Sequence, residues 1–198
     1  MKKKSSPPRV PAGFAAHPLS PERWPDFETL FGSHGAYGGC WCMWWRSTRR
    51  EFEARKGAGN RRAMQAIVDS GKVPGLLGYL ENMPVGWCSL APREDFSSLE
   101  RSPVLKRLDD LPVWSIVCFY IAKDFRGQGI AEALIGAALD YVKNRGGSIV
   151  EAYPTPPKQS PLAPVSSYMG LPAMFARAGF VECARPSRSK WIMRCRLR

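Results

Sequence analysis

The sequence predicts a mixed α/β domain, on three observations. Strand-like and helix-like stretches alternate along most of its 198 residues rather than segregating into blocks. One apolar run, Val113 to Ala122, is rich in Val, Ile, Phe, Tyr and Trp, as suits a strand buried on both faces. That run leads through a short polar turn and a glycine-rich loop into an amphipathic stretch with Ile130, Leu134, Ala138 and Tyr141/Val142 on one face.

The elements run in order along the chain. Residues 1–11 (MKKKSSPPRVP) read as a flexible basic tail, and 12–198 as a single domain. Phe14 to Leu19 is a first strand. Ser20, Pro21 and Glu22 then suit the N-cap, first position and acidic first turn of a helix ending near Gly32. Gly35 to Trp45 (GAYGGCWCMWW) has no clear period. Arg49 to Ser70 predicts a second helix, interrupted near Gly57-Ala58-Gly59, with Met64, Ile67 and Val68 at helical spacing. Gly75 to Glu81 and Val85 to Ala91 suggest a hairpin turning at Asn82-Met83-Pro84. A polar connection, Arg93 to Asp110, precedes the apolar strand. After it come a helix over Gly129 to Arg145, stopped by Gly146-Gly147, and a strand over Ser148 to Tyr153. A long proline-rich loop (154–170) comes next, its length favouring a functional role. A short helix over Pro172 to Ala178 and two strands, Phe180 to Ala184 and Trp191 to Arg196, complete the chain.

Composition narrows the classes. An apolar fraction of 44% and a charged fraction of 23% are those of a soluble globular protein. The longest apolar run is too short to span a bilayer, and no secretory signal succeeds the basic start. The expectation is therefore a cytoplasmic protein without membrane contact, its six scattered cysteines reduced. Cys40-Trp41-Cys42 is more tightly spaced than a usual metal pair, and His17 and His34 are the only histidines, so no metal is expected. The net charge of +12 attracts anions. Its dispersed arginines nevertheless read as solvated surface and argue against a nucleic-acid groove. They also argue against strongly cationic acceptors.

Chemistry concentrates at Arg126-Gly127-Gln128-Gly129-Ile130-Ala131. A loop between a buried strand and a helix start aims free backbone N–H groups and the positive end of the helix dipole outward, which seats a pyrophosphate. Gly127 and Gly129 permit close approach, and Arg126 adds a phosphate-pairing charge. Neither the Rossmann G-x-G-x-x-G nor the Walker G-K-[ST] pattern is present.

Arg126-x-x-Gly129-x-Ala131 resembles the acetyl-CoA signature [RQ]-x-x-G-x-[GA] of the GNAT superfamily of N-acetyltransferases. The Tyr120-Ile121 end of the preceding strand and Phe175-Ala-Arg-Ala-Gly179-Phe180 match that superfamily's best-marked segments, and the likeness extends over about residues 12 to 197. It implies a central, mixed but mostly antiparallel sheet of six or seven strands flanked by about four helices. The sheet would be splayed between the strands 113–122 and 148–153. It further implies acetyl-CoA as co-substrate, with Phe119, Tyr120 and Ile121 pairing the pantetheine arm and residues 126–131 holding the pyrophosphate, near Phe175. The acceptor would be a primary amine of a small molecule or peptide, acetylated by direct transfer in a ternary complex. A homodimer is compatible with this.

The chain departs from the superfamily at one point. Phe175 stands where a proton-donating tyrosine is usual, which leaves Tyr168, beside Ser166 and Ser167, as the candidate acid. Glu151, on the splaying strand, is the candidate base. Cys118 reads as core rather than nucleophile. Tyr37, Trp41, Trp44 and Trp45 would wall the acceptor pocket. The alternative reading, drawn from Phe175 and the basic charge, is a non-catalytic module that senses acyl-CoA or binds nucleic acid on the same fold.

Overall fold

The computed structural model describes residues 10–157 and 168–198. Residues 1–9 of the expected tail (1–11) and the part of the proline-rich loop that holds Ser166 and Ser167 lie outside them. Among the described residues seven strands form one sheet in the order β1-β2-β3-β4-β5-β7-β6. They are β1 (Phe14–Pro18), β2 (Gly75–Leu80), β3 (Met83–Pro92), β4 (Trp114–Ile121), β5 (Ile149–Ala152), β6 (Val181–Ser187) and β7 (Lys190–Arg196). The helices are α1 (Trp24–Phe31), α2 (Arg49–Ala54), α3 (Ala58–Asp69), α4 (Ser97–Glu100), α5 (Ile130–Asn144) and α6 (Pro172–Arg177). Among the described strands only β4 and β5 pair in parallel. The mixed, mostly antiparallel sheet is the one expected. The described residues hold six helices rather than about four, because the second predicted helix breaks in two and a short helix forms in the polar connection.

Local chemistry explains these differences. Thr48 and Glu51 form a reciprocal capping box that starts α2. The chain then turns through Gly57 at φ +77° before α3. There Gly57 N–H donates to the Gly39 carbonyl at 3.0 Å, a backbone approach that a Cβ on Gly39 would block. Pro21 does stand at a first helical position, but of a 3₁₀ turn; α1 proper begins at Trp24 and Ser20 makes no side-chain cap. The hairpin turns at Glu81-Asn82, both at positive φ, so Met83 and Pro84 already belong to β3.

The sheet is packed on both faces. On one, α5 covers β2, β3 and β4 with Ile130, Leu134, Ile135, Ala138 and Val142. On the other, α1 and α3 bury Phe27, Phe31, Met64 and Trp87 beside Trp41 and Met43. A third cluster under the 93–110 connection holds Phe96, Leu99, Leu105, Val117 and Tyr153.

Two backbone events at the sheet centre open a cleft between β4 and β5. Cys118 pairs with Ser89 and Ile116 with Leu90, so Val117 is an extra residue in β4, a β-bulge. Regular alternation would put Cys118 on the same face as Ile116. With the bulge, Ile116, Phe119 and Ile121 pack on the α5 side, whereas Val117, Cys118 and Tyr120 turn to the other. Second, β5 stops at Ala152, its last partner being Ile116. Beyond it Pro154, Pro156 and Pro157 lack the N–H a strand ladder needs, and Thr155 N–H donates to the Gly170 carbonyl at 3.1 Å. The β4 edge from Val117 to Ile121 is thereby released from β5, and the two strands part where the splay is expected.

Candidate active site

The released β4 edge forms one wall of a cleft of about 1010 Å³. Phe119, Tyr120 and Ile121 line it, with Arg126 and Ala131 at the mouth. Phe119 N–H points across the gap and donates to the Tyr168 carbonyl at 2.6 Å. The far side is built from Tyr168, Gly170, Leu171 and Met174, and the floor from the 36–45 segment with Phe31 and Phe52.

At the mouth, the glycine-rich loop has the geometry an anion seat requires. Gly127 and Gly129 adopt φ of +76° and +84°, a left-handed conformation that side chains resist. The space where a Gly127 Cβ would sit is open. The first hydrogen bond of α5 runs from Ala133 N–H to the Gly129 carbonyl, so the amides of Ile130, Ala131 and Glu132 have no helical partner. Two side chains brace the loop from within. Arg126 Nε donates to the Ile121 carbonyl at 3.0 Å, and Gln128 Nε2 to the Asp124 carbonyl at 2.9 Å. The site residues therefore fit a pyrophosphate-bearing ligand whose arm lies along β4.

The aromatic residues of the acceptor end divide. Tyr37 is 68% exposed on the rim, and Trp44 and Trp45 line the cleft, Trp44 edge-on to Phe52 at 5.1 Å. Trp41 does not line it: the ring is buried under Gly35 and stacked on Phe31 at 5.8 Å. Phe175 is wholly buried behind Gly170, between Phe119 and Phe180, and so supports the cleft wall without facing it.

The two candidate proton-transfer groups separate as well. Tyr168 lines the cleft, and burial, with the neighbouring Cys118, pushes its hydroxyl well above the usual tyrosine range, so it keeps its proton. Glu151 does not reach the cleft. Its carboxylate is fully buried beyond β5, where it accepts from Arg93 Nη1 at 2.9 Å, Arg194 Nε at 2.6 Å and the Tyr153 hydroxyl at 2.6 Å. Glu100 and Asp109 pair with the outer sides of those arginines. Burial chiefly opposes the charge on Arg194, but the bonds from Asp109 and Glu151 outweigh it and raise its pKa.

Sequence reasoning missed one cleft group. Cys42, with Cys40 and Cys118, lines the cleft. Its sulfur accepts from Trp87 Nε1 at 3.1 Å. The Cys118 thiol, opposed by burial and helped by Ser89, Trp87 and the Arg46 charge, lowers the Cys42 pKa to about 6. The donors come from β3, β4 and the segment after α1, and no local pattern signals their meeting. Among the described residues no group of three or more His, Cys, Asp or Glu could hold a metal ion, and no helix is long and apolar enough to cross a membrane.

Comparison with known proteins agrees with this architecture. The family described as "Acetyltransferase (GNAT) family" matches residues 41–161. Among solved structures, a GNAT-family acetyltransferase from Streptococcus agalactiae superposes with a TM-score of 0.55 at 14% identity, over 94% of this chain and 97% of that one. PaiA N-acetyltransferase from Thermoplasma acidophilum, in complex with coenzyme A, gives 0.52 at 14% identity, over 93% and 99%. Ribosomal-protein-alanine N-acetyltransferase from Brucella melitensis gives 0.51 at 15% identity, over 92% and 99%. At such identities the likeness speaks for the fold alone. No curated protein matches the sequence. With its family match over more than half its length and its strand, loop and helix in the family's places, the chain belongs to the acetyltransferase (GNAT) family and is an N-acetyltransferase.

Proposed function

We propose that the chain takes the acetyl group of acetyl-coenzyme A and delivers it to a primary amine of a small molecule or peptide. One observation carries this reading: the β4 edge released from β5, bridged only by Phe119 N–H to the Tyr168 carbonyl among the described residues, and the open amides at the start of α5 border the same cleft. An extended arm can add to the first as a strand would, while the second takes its phosphates. The aromatic surfaces of Tyr37, Trp44 and Trp45 supply an apolar approach for the acceptor. Calorimetry with acetyl-CoA and with CoA tests the donor, and both are expected to bind. Absence of binding in folded protein would sink the reading. Release of free thiol across a panel of amines then identifies the acceptor.

Tyr168 is the proposed proton donor to the departing thiolate. Replacing it with phenylalanine keeps the backbone carbonyl that meets Phe119 N–H and removes only the acid. The expected outcome is a fall in kcat of about 10²-fold, within the usual range for a lost general acid, at unchanged CoA affinity. Equal losses in binding and kcat would instead mark the hydroxyl as a packing group.

A further inference from the structure

We propose that Lys56 selects the acceptor by charge: the amine acetylated in this cleft has an apolar, aromatic-sized body that carries a carboxylate. The inference rests on the reading that an acyl-CoA occupies the cleft, and it names the class of amine set beside it.

The cleft has no carboxylate of its own. The chain holds 17 Asp and Glu, and neither residues 1–9 nor residues 158–167 contain one, so every acidic side chain lies among the described residues. None of them lines the cleft. Those on neighbouring elements are engaged elsewhere: Glu28 pairs with Arg61, Glu51 caps α2, and Asp26 accepts from the Tyr79 hydroxyl. Glu151 is held between Arg93 and Arg194. Cys42, the thiol of lowered pKa, is buried in the floor with its sulfur turned to the Trp87 indole. An acceptor with a second cationic group would enter without a counter-charge, and an unpaired charge against apolar walls is costly.

A cation does line the acceptor end, and the fold holds it in place. Lys56 follows α2, about one turn beyond Phe52, and both residues line the cleft. Its stem lies along two glycines. A Cβ on Gly39 would come to 3.2 Å of the Lys56 Cγ, and one on Gly38 to 4.0 Å of its Cε. Both glycines are at positive φ, and the Gly39 carbonyl accepts from Gly57 N–H and from Asn60 Nδ2, each at 3.0 Å. The backbone beneath the lysine is thereby clamped, and a stem packed in this way presents its ammonium at the edge of the apolar surface. Among the described residues the one carboxylate within 4.0 Å is that of Glu53, at 3.9 Å, in a half-exposed i,i+3 pair of little strength. The ammonium can therefore take a further anion. Arg126, the other cation of the lining, stands at the mouth beside the phosphate seat.

The surface around the lysine suits an apolar body. Tyr37 directly precedes the two glycines, Trp44 stands edge-on to Phe52 at 5.1 Å, and Phe31 meets Tyr120 of β4 at 5.4 Å. A body laid on these rings turns its amine toward the β4 edge and its carboxylate toward Lys56. The lysine attracts this class and repels cationic amines of the same shape, so one side chain supplies both halves of the discrimination.

The test uses the full chain, acetyl-CoA and three amines that share one body: 4-(2-aminoethyl)benzoate, the neutral benzamide and the cationic benzamidine. A second set, the amides of phenylalanyl-glutamate, phenylalanyl-glutamine and phenylalanyl-arginine, separates a small free acid from an acidic peptide. The quantity read is the ratio of kcat/KM between the carboxylate and the carboxamide, from which any general loss of folded protein cancels.

In at least one set the wild type is expected to favour the carboxylate about 10-fold, mostly through KM, with the cationic amine poorest. Lys56→Gln is expected to bring the ratio to about 1, and Lys56→Glu to put the cationic amine first. Lys143→Gln removes one positive charge from the exposed end of α5 and is expected to keep the ratio. Loss of the ratio there as well would assign it to net charge and overturn the proposal. A wild-type preference below about twofold, or one that survives in Lys56→Gln, overturns it too. So does a calorimetric fall in CoA affinity in Lys56→Gln, which would put the lysine on the cofactor. CoA binding without turnover of any of these amines overturns the proposal and leaves the cofactor reading intact. Absence of CoA binding overturns both.

Discussion

Replacing Gly129 by valine is expected to weaken CoA binding by about 10- to 100-fold while leaving the protein folded. Gly129 caps the start of α5 at φ +84° and ψ 1°, in the left-handed region. A β-branched residue held there costs about 1–3 kcal/mol, and each 1.4 kcal/mol is a factor of ten in affinity. The strain falls on the loop that presents the Ile130 and Ala131 amides, so relaxing it moves the phosphate seat. Gly136→Ala is the control. It lies inside the same helix, its missing Cβ would meet nothing within 4 Å, and alanine there should add about 1 kcal/mol of stability with binding unchanged. Calorimetry on both variants, with denaturant unfolding beside it, checks the pair. Wild-type affinity in the valine variant would refute the phosphate seat.

Removing the carboxylate of Glu151 is expected to be the most damaging single change to stability. Glu151 is 0% exposed and sits between Arg93 and Arg194, themselves 1% and 6% exposed. Breaking a buried ion pair from one side costs about 3–5 kcal/mol, because the remaining charge stays buried. Glu100 and Asp109 still neutralise the outer faces of the two arginines, so Glu151→Gln should fall at the low end and Glu151→Ala at the high end. Equilibrium unfolding measures this directly. The folded fraction of Glu151→Gln is expected to keep its turnover, since the carboxylate is outside the cleft. A variant of normal stability with abolished turnover would restore the base role that the sequence suggests.

The sequence carries its strongest signals where a short segment is sufficient for the job. The loop 126–131 needs only glycine at two left-handed positions, an arginine, and a helix beginning at once, and all of that is local. The stop of β5 is equally legible, as prolines at 154, 156 and 157 cannot donate to a ladder. Strand order and the gap between β4 and β5 come with the family pattern once it is recognised.

Three features lie beyond such reading because they depend on residues distant in the chain. Glu151 looks like a base on a splaying strand until Arg93, from the end of β3, and Arg194, from β7, close on it. Trp41 looks like its neighbours Trp44 and Trp45, yet the glycine at 35 leaves a slot that only its ring fills. The Val117 bulge is invisible in an apolar run, since any residue of that run could be the extra one; pairing with Ser89 and Leu90 selects it. By itself the sequence determined the fold, the family and the geometry of the glycine-rich loop before α5, because backbone geometry and helix starts are set by neighbouring residues. The tertiary structure alone decided which polar groups face the cleft. It buried the expected carboxylate among arginines and gathered Trp87, Ser89 and Cys118 around Cys42, because ionisation and reactivity are fixed by partners that only packing brings together.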